Sequence, residues 1–161
     1  MVERIPMSKQ GHEKLRNELN NLQKNERLAN IKAIEVAREH GDLKENAEYH
    51  AAKERQSHIE GRILELKDKL SRAEVIDCSQ VNCDRAVFGT VVTVVDLDIN
   101  EETSYQLLGP EESDVKNGSI SVLSPLGRAM IGKQEGDDLV VKTPGGTRSF
   151  EIVGISRPSQ A

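Results

Sequence analysis

The sequence predicts an α+β protein in which an antiparallel hairpin of two long helices precedes a compact domain built on an antiparallel sheet. Apolar residues recur at alternating spacings of three and four along residues 15–36 and again along residues 52–73, the period of amphipathic helices. A glycine, Gly41, separates the two patterns. Beyond residue 86 the pattern changes to short β-branched runs, which are typical of strands.

The first helix is predicted to begin after Pro6, with Ser8 as its N-cap. Its seam, the row of residues that faces the second helix, follows a heptad repeat with one polar position. The predicted seam residues are Leu15, Leu19, Leu22, Glu26, Ala29, Ala33 and Val36. His40 and Gly41 are expected to end the helix, with Gly41 in the left-handed conformation at C′.

The second helix has a similar seam, which continues to the end of the repeat. Its residues are Ala52, Gln56, Ile59, Ile63, Leu66, Leu70 and Ala73. Each helix is about 30 residues long, or roughly 45 Å at the α-helical rise. Because the connection between them is short, the two helices are expected to pair antiparallel.

The second half is predicted to hold five strands, a short helix and a hairpin turn at residues 144–147. The strands are expected at residues 87–95, 103–108, 120–123, 139–143 and 149–155. Ser124 is expected to cap the helix, with Pro125 at its first position and Gly132 just past its end. These elements predict three segments: a coiled-coil hairpin (1–76), a linker (77–86) and a second domain (87–161).

Composition limits the classes of protein. No apolar run in the 161 residues approaches the roughly 20 needed to span a bilayer, and the N-terminus has no signal-peptide pattern, so we expect a cytoplasmic protein. Cys78 and Cys83 lack further cysteines for a zinc site and are interpreted as reduced. Residues 81–161 carry the whole net charge of −5, which disfavours independent binding to nucleic acid.

Two carboxylates lie where the hairpin turns, Asp42 and Glu45, on either side of Leu43. Their spacing fits a capping box at the start of the second helix. It also fits a metal site that needs a partner, because Mg²⁺ is usually held by one or two carboxylates together with water and phosphates. Both interpretations stay open from spacing alone.

Other residues near the tip have both a structural and a functional interpretation. Arg38 and Lys53 flank the tip and either steer a nucleic-acid end or are ordinary solvated charges. Tyr49 either stacks on a base or packs locally. His40 and His50 have no triad-like companions and are interpreted as structural. The sequence contains no glycine-rich phosphate loop and no nucleophile arrangement, so an independent enzyme is not expected.

Several motifs together resemble the Gre family of bacterial transcript-cleavage factors, nearer its GreA than its GreB type. They are Pro-Met-Ser at residues 6–8, the leucine seam, Gly-Asp-Leu-Lys-Glu-Asn-Ala-Glu-Tyr at 41–49, and Lys-Thr-Pro-Gly-Gly at 142–146. The likeness extends from about residue 5 to 156. It implies a transcription elongation factor that is not itself an enzyme but activates cleavage by RNA polymerase.

The resemblance also implies roles for individual residues. The coiled coil enters the secondary channel of RNA polymerase, where Asp42 and Glu45 help to hold a catalytic Mg²⁺ that the factor alone does not bind. The 3′ end of backtracked RNA is then cut. Arg38 and Lys53 face the RNA, and the tip is supported by Gly41, Leu43, Asn46 and Tyr49.

The second domain is expected, from the same resemblance, to have an FKBP-like fold and to dock on the rim of the polymerase. The docking residues would be Leu123, Ser124, Pro125, Leu126 and Gly127. No membrane and no small-molecule substrate are implied. Three alternatives remain: a peptidyl-prolyl isomerase, an inhibitor that plugs the channel, and a structural coiled-coil adaptor.

Overall fold

The computed structural model describes residues 3–158. They form two compact units, one made mainly of residues 12–73 and the other of Arg4–Gly11 together with residues 74–158. The predicted fold class is confirmed, since a helical hairpin precedes a sheet domain of α+β type. The predicted boundaries at residues 76 and 86 stay predictions, and the outer ends of those domains, residues 1–2 and 159–161, lie outside the described residues.

The hairpin has two arms. The first arm consists of α1 (Lys9–Asn21), a π-helical turn (Leu22–Glu26) and α2 (Arg27–Arg38), and the second arm is α3 (Ala47–Ser71). The arms run antiparallel, because Glu18 contacts Arg62 whereas Asn30, further along, contacts Ala52. Within residues 3–158, no helix is both long and apolar enough to cross a membrane.

The π-helical turn shifts the seam of the first arm by one residue. Leu15, before the turn, is buried as predicted. After the turn the buried positions are Asn30, Ile34 and Ala37, and the predicted positions, each one residue earlier, are exposed. A π turn accommodates one extra residue within a continuous helix. The predicted seam of the first arm is therefore wrong beyond Glu26.

The seam of the second arm is confirmed from Ala52 to Leu70, but the last predicted position, Ala73, lies beyond the end of α3 in a short strand, Ala73–Ile76. Ala52, Ile59, Ile63 and Leu66 are all at most 9% exposed, and the remaining predicted positions are partly buried. α3 contains no π turn, so its heptad spacing keeps one face toward the first arm.

Charged pairs join the two arms along their edges. Arg62 donates to both carboxylate oxygens of Glu18 at 2.8 and 3.1 Å, and this hydrogen bond holds the pKa of Glu18 below its ordinary value. Arg27 donates to Glu60 at 2.7 and 2.8 Å and lowers the pKa of that carboxyl in the same way. These pairs join matching positions of the two arms, and their exposure to solvent limits how much each pair stabilises the hairpin.

The second unit is built on a five-stranded sheet in the order β5-β4-β3-β7-β6. Its strands are β3 (Val91–Asp96), β4 (Glu101–Leu108), β5 (Ser119–Ser121), β6 (Asp138–Thr143) and β7 (Gly146–Ser156), and α4 (Pro125–Met130) follows β5. Val92, Leu107, Met130 and Ile152 have no exposed surface and form the centre of the core.

Three details differ from the prediction. β5 pairs parallel to β4, so the sheet is mixed rather than wholly antiparallel. Residues 87–90, predicted as strand, form a turn in which the hydroxyl of Thr90 donates to the carbonyl of Val87 at 2.7 Å. Two short strands, β1 (Ile5–Ser8) and β2 (Ala73–Ile76), pair with each other. The prediction has a helix start at the first of these segments and the end of the coiled-coil hairpin at the second.

The first residues of α1, Lys9–Gly11, belong to the second unit, and residues of that unit cap the helix. Ser8 accepts the amide of Gly11 at 3.0 Å, as predicted for the N-cap. The amide of Ser8 donates to the carboxylate of Glu112 at 3.1 and 3.3 Å. In an ordinary capping box, the side chain of the third helical residue accepts the amide of the N-cap. Here Glu112, which is 104 residues from Ser8 in the sequence, accepts that amide instead.

Candidate functional site: the hairpin tip

The tip loop, residues 39–46, joins the two arms. Gly41 has φ of +106°, a positive φ that glycine adopts without steric cost, as predicted. It lies two residues past the C-cap, Glu39, rather than at the predicted C′ position. The loop is exposed apart from Asn46, so its polar side chains are accessible from solvent.

Both tip acids lie in this loop and both are exposed. Asp42 Oδ1 accepts the amide of Lys44 at 3.0 Å, a local turn that aspartate often makes. Glu45 has no hydrogen bond or ion pair within residues 3–158, and Asp42 has no ion pair there. Leu43, between them, is 39% exposed. Two unpaired carboxylates therefore project from the loop.

The predicted capping box at Asp42 is wrong. α3 begins at Ala47, and its N-cap is Asn46, whose Oδ1 accepts the amide of Tyr49 at 3.0 Å. Asparagine caps helices as well as aspartate does, so spacing alone did not distinguish Asp42 from Asn46. Because Asp42 caps no helix, its carboxylate is not needed to stabilise α3.

Asn46 makes a second contact that the sequence did not reveal. Its Nδ2 donates to the carbonyl oxygen of Ala37, in the last turn of α2, at 2.5 Å. One amide side chain thus joins the end of one arm to the start of the other.

The two basic residues predicted to face RNA lie on opposite arms. Arg38 is exposed on α2, with its guanidinium carbon 5.9 Å from the centre of the Tyr49 ring. This distance is within the range of a cation–π contact. Lys53 is exposed on α3 and donates to Gln56 at 2.9 Å. Tyr49 is therefore engaged by Arg38 in the free protein, which is its predicted local packing.

The histidines near the tip contact the loop and its neighbours. His50 Nε2 lies 3.0 Å from the carbonyl oxygen of Lys44, and His40 Nε2 lies 3.6 Å from a carboxylate oxygen of Glu48. No sequence pattern signalled either contact, because each depends on the path of the loop.

The predicted docking residues surround the start of α4. Ser124 caps α4 by accepting the amide of Gly127 at 3.1 Å, and Pro125 occupies the first turn. Gly127 is buried, and a Cβ on it would lie 2.1 Å from the carbonyl oxygen of Ser121. Leu123, by contrast, is 56% exposed and accessible to a partner.

The tip offers oxygen donors but too few for a metal site of its own. Among residues 3–158, no group of three or more histidine, cysteine or acidic side chains is placed to hold a metal ion. Asp42 and Glu45 are hard oxygen donors of the kind that Mg²⁺ takes one or two of, with phosphates and water completing its shell. The donor set fits a metal shared with another molecule.

Comparison with known proteins gives matches to both halves of the chain. Residues 5–75 match the family "Transcription elongation factor, N-terminal", and residues 80–157 match "Transcription elongation factor, GreA/GreB, C-term". The sequence is 70% identical over 155 residues to transcription elongation factor GreA of Desulfotalea psychrophila, covering 96% of each chain. It is 56% identical to GreA of Thermodesulfovibrio yellowstonii, covering 97% of this chain and 99% of the relative.

Among solved structures, the chain is similar to GreA factor homolog 1 of Thermus thermophilus. The two share 31% identity with a TM-score of 0.44, over 95% of this chain and 99% of the other.

Proposed function

Because the chain belongs to the GreA/GreB family of transcription elongation factors, we propose that it stimulates RNA cleavage by bacterial RNA polymerase. The hairpin enters the secondary channel, and the polymerase's own Mg²⁺-dependent activity then removes the 3′ end of backtracked RNA. An arrested complex can resume elongation from the new 3′ end. The place of action is the cytoplasm, where the polymerase works. The observation that carries this proposal is the pair of exposed, unpaired carboxylates at the end of the hairpin, Asp42 and Glu45.

The proposed division of labour follows from the donor count. Asp42 and Glu45 would supply negative charge and oxygen ligands to a second Mg²⁺, which would need further ligands from RNA phosphate, water and the polymerase. Two metals in such a site stabilise the attacking and leaving oxygens of a phosphodiester. The factor is thus an activator rather than a nuclease.

Other parts of the chain position this chemistry. Arg38 and Lys53, exposed on opposite arms beside the tip, would attract the phosphates of the RNA end. The exposed Leu123 and the α4 cap beside it form the proposed contact with the polymerase rim. The net charge of −5 in residues 81–161 suits a protein partner better than nucleic acid.

Cleavage of end-labelled RNA in a halted, backtracked polymerase complex tests the proposal. We expect saturating wild-type protein to shorten the RNA. Asp42→Asn should lower the cleavage rate by about a hundredfold or more, the scale of losing one preorganised electrostatic group. Asparagine can still accept the Lys44 amide, so folding should not change. Glu45→Gln should behave alike, and the double variant should be little worse, because both acids serve one metal.

A nearby acid provides the matched control. Glu39 is exposed in the same loop and makes no side-chain hydrogen bond or ion pair within residues 3–158, so Glu39→Gln should cleave normally. Full cleavage by Asp42→Asn at saturating concentration would contradict the proposed role of that acid. Blocked cleavage with wild-type protein would instead identify a channel-plugging inhibitor, and unchanged RNA an adaptor or isomerase.

A further inference from the structure

The middle of the tip loop is held by side chains rather than by its backbone. The amides of Glu39, His40 and Gly41 complete α2 by donating to carbonyls three residues earlier, at 3.2–3.4 Å. Between residues 42 and 45, within the described chain, no backbone amide donates to a backbone carbonyl. The part of the loop that carries both acids therefore has no regular hydrogen bonding to define its path.

Two side chains at the start of α3, those of Asn46 and His50, attach the loop to the two arms. Asn46 Nδ2 donates to the Ala37 carbonyl at 2.5 Å, which ties the end of the loop to α2. His50 Nε2 lies 3.0 Å from the Lys44 carbonyl, which ties the middle of the loop to α3. A carbonyl oxygen only accepts, so His50 must carry its hydrogen on Nε2. Asp42 precedes the second attachment and Glu45 follows it.

The oxygen and the nitrogen of the Asn46 side-chain amide make two different hydrogen bonds. Oδ1 caps α3 by accepting the Tyr49 amide at 3.0 Å, whereas Nδ2 reaches back to Ala37. The cap needs only an acceptor, and an aspartate or serine would serve as well. The bond to Ala37 needs a donor, which an ionised aspartate lacks. The cap alone therefore does not account for an amide at this position.

We propose that Asn46 is a positioning residue for the tip acids, acting through its Nδ2 bond to Ala37, and that His50 assists it through Lys44. This inference rests on the proposed function, in which Asp42 and Glu45 must reach one metal together. An exposed loop without these bonds would present the acids in many directions. A displacement of about 1 Å from a productive geometry can lower a reaction rate about a hundredfold.

Two substitutions separate the bond to Ala37 from the cap. Asn46→Asp keeps the size and the capping oxygen but removes the donor, and Asn46→Ser keeps a neutral cap that is too short to reach Ala37. In the backtracked-complex assay, we expect both to lower the saturating cleavage rate about 10- to 100-fold. The half-saturating concentration and the thermal midpoint should stay near the wild-type values. Asn17→Asp, an exposed site on α1 with no side-chain hydrogen bond among residues 3–158, is the control for the added charge.

Two substitutions of His50, one that removes the donor to Lys44 and one that keeps a donor, test the second contact. His50→Leu removes the donor to Lys44, whereas the amide nitrogen of His50→Gln can occupy the place of Nε2. We expect His50→Leu to lower the saturating cleavage rate and His50→Gln to retain most of it. Equal loss in both would contradict the assigned contact.

The free protein provides a readout that does not depend on polymerase. We expect ¹⁵N relaxation to give order parameters of about 0.85 for residues 42–45 in the wild type and below about 0.6 in Asn46→Asp. Equal loop order in the two proteins, or wild-type cleavage by Asn46→Asp and Asn46→Ser, would overturn the inference. Absence of stimulated cleavage by the wild type would contradict the proposed function instead, and the relaxation result would still decide the role of Asn46.

Discussion

The hydrogen bonds between Glu18 and Arg62 should make the stability of the hairpin depend on acidic pH. They lower the pKa of Glu18 from its ordinary value of 4.5. A carboxyl whose pKa is lower in the folded state stabilises the fold above its unfolded pKa, and this contribution is lost as the pH falls through the folded pKa. We therefore expect the thermal midpoint, followed by far-UV circular dichroism, to fall as the pH is lowered below 4.5.

A pair of variants isolates the contribution of Glu18. At about pH 6, Glu18→Gln should lower the thermal midpoint by a few degrees at most, since such a pair contributes up to about 1 kcal/mol. At about pH 3, the difference in midpoint from the wild type should be smaller, because Glu18 is then largely protonated in the wild type. Glu35→Gln, at an exposed position with no side-chain hydrogen bond or ion pair among residues 3–158, should match the wild type at both pH values. A constant difference for Glu18→Gln would contradict the argument.

At the tip, the sequence predicts the position of the acidic residues but not the contacts of the side chains around them. Asp42 and Glu45 were identified correctly as loop residues, because the position of a turn between two amphipathic patterns is a local property. Spacing allows Asp42 as the cap of α3, one of its two open interpretations, but Asn46 is the cap, and both residue types suit that position. The Asn46 and His50 contacts depend on the path of the loop in space, which no spacing encodes.

Among the helices, the π-helical turn explains why one seam was predicted correctly and the other was not. The heptad rule describes a helix of constant pitch, and it holds throughout α3. In the first arm it holds only as far as the turn, where one extra residue is absorbed. All five predicted strands of the second unit overlap strands of the structure, since runs of β-branched residues are a local signal. The parallel pairing of β5 with β4 was not found, because pairing is a non-local property.

Deleting one residue from the π turn should leave the pairing of the arms intact. Without Lys24 the turn can close as ordinary α-helix, and Leu15 and Ile34 both stay on the seam. Deleting Lys32 instead rotates Ile34 away from α3 by about 100°, the angle per residue of an α-helix. Loss of burial of one isoleucine costs about 1.5–3 kcal/mol, so the thermal midpoint should fall by about 3–12 °C.

The two deletions are matched, because Lys24 and Lys32 are both exposed lysines without a side-chain hydrogen bond or ion pair among the described residues. Each removes the same charge from the same arm. Thermal melts by circular dichroism should therefore show a near wild-type midpoint for the first and a lower midpoint for the second. Similar losses in both would mean that the π turn does not absorb the extra residue.

For the chain as a whole, the second unit holds its core almost entirely within residues 77–158. All five strands of the large sheet and α4 lie in that range, as do the buried residues of its core. A fragment of residues 77–161 should therefore fold cooperatively, as measured by a thermal or urea transition. It should be less stable than the intact unit, because Glu112 loses its contact with Ser8.

The same fragment should compete with the full-length protein for RNA polymerase without stimulating cleavage, because it contains the proposed docking residues but neither tip acid. Leu123→Ser should weaken this competition without unfolding the fragment, since Leu123 is 56% exposed. Val140→Ser, on β6 and 66% exposed, is the control for loss of an apolar surface residue elsewhere. A folded fragment that does not displace the full-length protein would place the main polymerase contact on the hairpin. Equal weakening by the two substitutions would remove Leu123 from the docking surface.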